Sequence, residues 1–273
     1  MPGCDHPDIP VQSINSSTDS YLEKLQILLR SQNPTNYKTW RQDTGIGMPS
    51  FIHGLMAEHR LTIKGGFGGD SMHATTLNLG DILIPLWCGT FECAPTDNYE
   101  LWDWAVLTGD VWKDHGRAVA DTRPYIPGSF DRPPRNIAEK CNSGYKAKEW
   151  QGYLFGLAPA LLYNVLPHPY WQNFCHLVYA LRILLQRVIT RQQLQDSQNH
   201  LDMFQDGFET LYLQRRTDRL HIHRPCIHAC VHMGPEVARL GPPILYSTWT
   251  MERTIGDLGA EIRQPSNPYA NLS

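Results

Sequence analysis

The feature that most constrains the fold is a series of apolar residues at helical spacing in the second half of the chain. They recur every three or four positions in three successive stretches, which is typical of amphipathic helices. These residues are Trp150, Tyr153, Leu154, Leu157 and Leu161; Phe174, Leu177, Val178, Leu181, Leu184, Leu185 and Val188; and Leu194, Leu201, Phe204, Phe208 and Leu211. Such stripes need partners, and short connections favour antiparallel neighbours. We therefore predict a mainly α fold with a helical bundle over residues 146–233.

Local signals set the ends of these predicted helices. We expect a kink at Pro159 and the end of the first helix at Pro167. Thr190 and Gln193 fit a capping box, which predicts the start of the third helix.

The first half of the chain carries weaker helical patterns. Ser17 and Thr18 precede an apolar stripe that predicts a capped helix ending near Arg30, and a second short helix is expected from Asn33-Pro34 to before Gly45. The apolar residues of 102–107 and 111–112 predict one further helix around a tryptophan cluster, which we assign to the core. An extended surface segment is expected after it, where four prolines follow: Pro124, Pro127, Pro133 and Pro134.

Composition narrows the class of protein. With 273 residues, of which 41% are hydrophobic and 19% charged, the chain has ordinary globular composition. Its net charge of -3 gives no overall basic surface, so contact with nucleic acid would need a local patch. One such patch is Arg215, Arg216, Arg219 and Arg224. Seven scattered cysteines do not indicate a disulfide framework, and no long apolar span occurs, so we expect an intracellular protein without a membrane segment.

An acidic residue and a histidine follow a glycine-rich stretch early in the chain. The alternating run Leu61-Thr62-Ile63-Lys64 predicts a strand, which ends in the glycines of residues 65–69, and the apolar spacing after Met72 predicts a helix. Asp70 and His73 therefore lie at a strand-to-helix junction, a common place to hold a metal ion or a phosphate. The alternative is that Asp70 caps the helix and His73 is only a first-turn residue.

Three motifs in this order resemble a known family. They are Asp70-Ser71-Met72-His73 before a Leu-rich helix that ends in Leu86-Trp87, the segment Ser143-Gly144-Tyr145-Lys146-Ala147-Lys148-Glu149-Trp150, and the segment Trp249-Thr250-Met251-Glu252-Arg253-Thr254-Ile255-Gly256. The chain resembles the transposase domain of fungal CACTA-type (Plavaka-like) DNA transposons from about Gly3 to Ser273. The resemblance implies a transposon-derived protein, with transposon-end DNA as its partner and the nucleus as its location.

In the resembled family the catalytic domain is an RNase H-like α/β core interrupted by a helical insertion. The resemblance implies a core remnant over residues 1–88, an irregular connector over 89–145, the insertion bundle over 146–233, and a C-terminal core helix and tail over 234–273. Asp70 and His73 match the family's acidic-x-x-His motif, and Glu252 matches its late glutamate. Asp70 and Glu252 would then hold Mg²⁺, which prefers oxygen ligands, while His73 would position Asp70 or a phosphate.

One part of the family pattern is missing. The family's first catalytic aspartate lies on an early strand, whereas the sixty-nine residues before Asp70 are mostly helical in pattern, and Asp5 and Asp8 are poor substitutes. We therefore expect an incomplete RNase H-like core and a catalytically inactive chain, which reads as the C-terminal portion of a transposase or as an incomplete gene. A carboxyl separation of about 6 to 7 Å between Asp70 and Glu252 in an open cleft would allow a shared ion.

A second set of candidate ligands lies between residues 221 and 232. Cys226, His228, Cys230 and His232 form two pairs at i and i+4, which on a helix is a suitable spacing for zinc. The apolar residues between them favour a partly buried helix whose histidines find hydrogen-bond partners, and we expect that structural role rather than a zinc site. The alternative function is a non-catalytic helical module that binds a protein partner or zinc.

Overall fold

The computed structural model describes residues 18–49, 68–130, 132–141 and 144–262. Every regular element in these ranges is a helix, and none of the described residues forms a strand, which confirms the mainly α prediction for this part of the chain. The predicted strand Leu61–Lys64 lies outside the described residues. In the described part, none of the helices has the length and apolar character needed to cross a bilayer. The chain divides into two compact units, Met1–Gly68 and Gly69–Ser273. Of the four segments that the family resemblance implies, those over residues 89–145, 146–233 and 234–273 fall wholly within the second unit.

Two helices are described in the first unit, α1 (Thr18–Leu29) and α2 (Pro34–Thr44). Asn33 caps α2 by accepting a hydrogen bond from the Asn36 backbone N–H at 2.8 Å, and Gly45 ends it with a φ of 72°. Leu25, Leu28 and Ile46 form a small buried cluster of their own. The predicted bounds of both helices are confirmed within one or two residues.

The second unit contains ten further α-helices among its described residues. They are α3 (Leu79–Trp87), α4 (Gly109–Asp121), α5 (Ile137–Lys140), α6 (Ala147–Gly152), α7 (Ala158–Leu161), α8 (His168–Leu184), α9 (Arg191–Phe208), α10 (Pro225–Cys230), α11 (Met233–Leu240) and α12 (Trp249–Glu261). Short 3₁₀ helices occur at Tyr99–Leu101, Arg123–Tyr125, Gly128–Phe130, Thr217–Ile222 and Pro243–Leu245. The predicted capping box of α9 is present, because Thr190 and Gln193 exchange backbone-to-side-chain hydrogen bonds of 2.9 and 3.2 Å.

Three helices contain or adjoin a wider π-helical turn, for which the sequence carries no local signal. These turns are His73–Asn78 before α3, Tyr153–Leu157 between α6 and α7, and Glu209–Leu213 after α9. The second one lies directly before Pro159, where we predicted a kink. A proline cannot donate the usual helical hydrogen bond, and the chain here accommodates it with a wider turn.

The core of the second unit lies between α8 and α9 and extends to the aromatic residues around α3. Leu177, Leu181 and Leu184 of α8 are fully buried, as are Leu201 and Phe208 of α9. Helices α8 and α9 share the most extensive helix-to-helix contact of the described residues. This pairing confirms that the apolar stripes of the second half pack against one another.

The predicted helix around the tryptophan cluster is wrong over residues 102–107. These residues have no regular structure, and α4 begins only at Gly109. Trp102 and Trp104 are both buried and stack on each other with ring centroids 5.2 Å apart. Because Trp102 is extended and its indole N–H donates to Asp97 at 2.9 Å, tertiary packing and not a helical face buries these rings. The assignment of the cluster to the core is confirmed.

Candidate functional site

Asp70 and His73 form a compact pair at the start of the helical segment that leads into α3. Oδ1 of Asp70 accepts a hydrogen bond from the backbone N–H of His73 at 3.2 Å, and Oδ2 lies 2.5 Å from His73 Nδ1. The first of these is an N-cap contact, so the capping role considered for Asp70 is present. The second orients the imidazole, because the nitrogen that faces a carboxylate carries the proton in the neutral ring.

Asp70 also contacts a residue that is distant from it in sequence. Oδ1 accepts a hydrogen bond of 2.9 Å from the hydroxyl of Thr248, which is 178 residues further along the chain. Burial raises the pKa of Asp70, but the hydrogen bonds from His73 and Thr248 outweigh it, so the pKa lies below its usual range. The carboxyl group is therefore ionised at neutral pH, and it remains 40% exposed.

Thr248 connects this pair to Glu252. Thr248 is the N-cap residue of α12, and the backbone N–H of Glu252 donates to its carbonyl at 2.8 Å, which places Glu252 in the first helical turn. His73 and Glu252 line the same open cleft, which has a volume of about 1280 Å³. The structure thus brings the Asp70-x-x-His73 segment and the segment of Trp249 and Glu252 to one place.

The walls of this cleft carry four cationic side chains. Arg132, Lys146, Lys148 and Arg253 line it, against the two carboxylates of Glu252 and Asp257. The ammonium group of Lys148 lies over the ring of Trp249, 5.0 Å from its centroid. Since the whole chain has a net charge of -3, the excess of cations is a local property of the cleft.

A buried carboxylate behind the wall holds the cationic segments together. Glu149 is fully buried and accepts two hydrogen bonds from the guanidinium of Arg135, at 2.5 and 2.8 Å. It also accepts from the backbone N–H of Lys146 at 3.0 Å and lies 3.7 Å from Arg132. Burial opposes ionisation of Glu149, but these partners hold its pKa below the usual range. The segments that carry Arg132 and Lys146 are thereby fixed to each other.

Sequence reasoning missed this role of Glu149, although a signal was present. Glu149 stands three residues after Lys146, the capping-box spacing, and directly before the buried Trp150. A glutamate at that position both caps a helix and faces the core side.

The basic patch suggested for nucleic acid is not a free cationic surface. Arg219 is only 2% exposed and pairs with buried Asp97 through bonds of 2.7 and 2.9 Å. Arg216 pairs with Asp97 and Asp218, and Arg224 lies 3.5 Å from Glu92 and over the ring of Phe91. The suggestion was wrong for Arg219 because its partner stands 122 residues away in sequence, where spacing gives no signal.

The residues of the possible zinc site separate into two environments. Cys226 and Cys230 are buried in the core, and the Cys230 thiol donates to the Cys226 carbonyl at 3.2 Å. Burial raises the pKa of the Cys230 thiol to about 12. The Nε2 atoms of His228 and His232 meet at the surface, 3.1 Å apart. Helix α10 ends at Cys230, so His232 lies beyond the helix that the spacing predicted.

No protein-family model, no curated protein and no solved structure matches this chain. The chemistry open to the site therefore follows from its own residues. The cation-rich wall is suited to an extended anion such as a nucleic acid backbone, and the ionised carboxylate of Asp70 orients the imidazole of His73 beside it.

Proposed function

We propose that this chain derives from the DNA-cleaving domain of a CACTA-type transposase and that the cleft beside Asp70, His73 and Glu252 binds the sugar-phosphate backbone of DNA. The observation that carries this proposal is the hydrogen bond between Asp70 and Thr248. It joins the Asp70-x-x-His73 motif to Thr248, 178 residues further along the chain and directly before the Trp249–Gly256 motif, and the two motifs resemble the family separately. The mainly α architecture is compatible with the helical insertion that the resemblance implies.

Charge supports DNA as the ligand of the cleft. Phosphate contacts are made mainly by Arg and Lys side chains and fix a protein on the duplex without reading its sequence. Four such side chains line the cleft: Arg132, Lys146, Lys148 and Arg253. His73 lines it too, and with the Nδ1 proton directed at Asp70 its Nε2 can accept a hydrogen bond from a water molecule that bridges to a phosphate.

Mg²⁺, which the resemblance implies, does not fit the described residues as a catalytic pair. Oδ1 of Asp70 already accepts two hydrogen bonds, and Oδ2 faces His73. In residues 18–49, 68–130, 132–141 and 144–262, no group of three His, Cys, Asp or Glu side chains is placed to hold a metal ion. Two-metal cleavage needs more oxygen ligands than Asp70 and Glu252 supply. We therefore propose DNA binding without strand transfer.

The test is equilibrium DNA binding measured by fluorescence anisotropy on a labelled duplex over a range of salt concentrations. Loss of a phosphate contact weakens binding for every DNA sequence and lowers the salt slope by about 1. The double variant Lys146→Gln/Lys148→Gln should therefore lower the slope by about 2. Glu252→Gln, which removes a carboxylate from the same cleft, should strengthen binding.

The matched control removes two positive charges elsewhere. Lys113→Gln/Arg117→Gln acts on α4, where both side chains are exposed, pair with aspartates three residues before them and do not line the cleft. Equal losses in the two double variants would show that binding follows net charge alone and would overturn the assignment to the cleft. Unchanged binding in the Lys146/Lys148 variant would do the same.

A helical protein-interaction module is the second candidate function, and one observation favours it. Met251, Ile255 and Leu258 of α12 follow one another at helical spacing and are 59%, 54% and 46% exposed. An exposed apolar stripe on a helix is a common feature of partner-binding surfaces. Absence of DNA binding, together with a shift to a larger mass in light scattering that Ile255→Asp abolishes, would favour this candidate over the first.

A further inference from the structure

Three histidines gather on the surface where α9, α10 and the segment before α10 meet. His228 belongs to α10, and His232 follows two residues after the helix ends. Their rings stand nearly perpendicular, at 82°, with Nε2 atoms 3.1 Å apart. The ring of His223 lies 6.3 Å from that of His228, and its Nε2 is 3.8 Å from a carboxylate oxygen of Glu209. None of these side chains lines the cleft of the proposed function.

The separation of the two Nε2 atoms matches the bite of one metal ion. Zinc binds imidazole nitrogen at about 2.0–2.1 Å. Two such bonds to atoms 3.1 Å apart enclose an angle of about 95–102°, which lies between the octahedral and the tetrahedral value. Without metal, the same distance is filled by one proton shared between the rings as an N–H···N hydrogen bond. A divalent ion bound by both Nε2 atoms would take the place of that proton.

The neighbouring thiols take no part in this arrangement. Cys226 and Cys230 are buried on the core side of α10, and the Cys230 Sγ–H is used by the Cys226 carbonyl. A thiol must lose its proton to become a metal ligand, and burial in the core opposes this loss. The donor set at the surface therefore consists of imidazoles, which suit Zn²⁺, Cu²⁺ and Ni²⁺ and not Mg²⁺.

We propose that the Nε2 atoms of His228 and His232 bind one divalent transition-metal ion, with water molecules in the remaining coordination positions. The site is independent of the DNA-binding cleft, so either proposal can fail without the other.

The test is isothermal titration of ZnCl₂ and NiCl₂ into the metal-stripped full chain. We expect one ion per chain and at least a tenfold loss of affinity in both His228→Asn and His232→Asn, because removal of even an outer-shell partner of a metal site costs about 10–100-fold in affinity. His221→Asn is the matched control, since this neighbouring histidine uses Nε2 on the Glu92 carbonyl at 2.7 Å. It should bind metal as the parent chain does. Far-UV circular dichroism of the metal-free variants checks that each one is folded.

Two further measurements separate this site from a Cys/His zinc site. Cys226→Ala should leave the affinity unchanged, and the Co²⁺ complex should lack the near-ultraviolet charge-transfer absorption that thiolate ligands produce. Metal binding that depends on Cys226, or that survives His232→Asn, would overturn the proposal. No binding to the folded parent chain, or equal loss in His221→Asn, would overturn it as well.

Discussion

Helices α8 and α12 of the second unit differ sharply in how they are held. Nine of the 17 residues of α8 are buried, whereas none of the 13 residues of α12 is. Yet α12 carries Glu252, and its described links to the rest of the unit are near its first turn, where Thr248 binds Asp70 and Trp249 lies under Lys148. In this unit, the residues that pack in the core and the residues of the proposed site therefore lie largely on different elements.

The ion pairs repeat the same division. Arg219 with Asp97 and Glu149 with Arg135 place fully buried carboxylates against guanidinium groups. Asp70 with His73 is an exposed pair at the cleft. Removing one member of a buried pair leaves an uncompensated charge in the interior, while an exposed pair contributes little to stability. Substitutions in the buried pairs should therefore lower the free energy of unfolding, whereas substitutions in the exposed pair should mainly change binding at the cleft.

The largest effect is expected for Arg219→Met. This change leaves Asp97 buried with only part of its hydrogen bonds, because Arg219 supplies two of them. Breaking a buried pair costs up to about 3–5 kcal/mol of unfolding free energy, and Arg216, 3.0 Å from Asp97, retains part of the charge compensation. Urea denaturation followed by circular dichroism measures the loss. Arg117→Met, which removes an exposed partner of Asp114, is the control and should change stability by at most about 1 kcal/mol. Similar values for both variants would contradict the distinction between buried and exposed pairs.

The next largest effect concerns pH and His115. Burial lowers the pKa of His115 to about 4, and its Nε2 lies 2.8 Å from the hydroxyl of buried Tyr153. His115 takes up a proton near pH 6.5 in the unfolded chain but only near pH 4 in the folded chain. The free energy of unfolding therefore decreases as pH falls from 6.5 to 4. The loss reaches about 3 kcal/mol, at 1.36 kcal/mol for each pH unit.

This pH dependence is measured by urea denaturation at several pH values from neutral to about 4.5, a range in which histidines titrate. His115→Gln is expected to remove most of the slope while keeping a side chain that can bond to Tyr153. An unchanged slope in the variant would mean that other groups, such as His176, whose pKa is also lowered by burial, account for the titration.

Local signals in the sequence were sufficient for part of the fold. The bounds of α2 follow from Asn33, Pro34 and Gly45, and the start of α9 follows from Thr190 and Gln193, because capping involves residues within one helical turn. Apolar spacing likewise predicted α8, where the buried residues repeat every three or four positions.

Other features depend on contacts that no local pattern records. The irregular segment of Trp102 and Trp104 and the burial of Arg219 both depend on packing against distant parts of the chain. Asp70 and Glu252 were linked in the expectations only through the family resemblance, since no spacing rule connects positions so far apart, and the contact between Asp70 and Thr248 was not predicted. The division of Cys226 and Cys230 from His228 and His232 depends on which side of α10 packs on the core.

The smallest effect is expected for Leu258→Ala in α12, and it tests whether α12 is held by less packing than α8. Leu258 is 46% exposed, so its truncation should change the free energy of unfolding by no more than about 0.5 kcal/mol. Leu181→Ala in α8 removes the same atoms from a fully buried position and should cost about 2–5 kcal/mol. Both variants are compared by urea denaturation at equal protein concentration. A loss above about 1 kcal/mol for Leu258→Ala exceeds what an exposed position gives. It would mean that the apolar side of α12 is covered in solution. Helix α12 would then contribute both to the stability of the unit and to the proposed site.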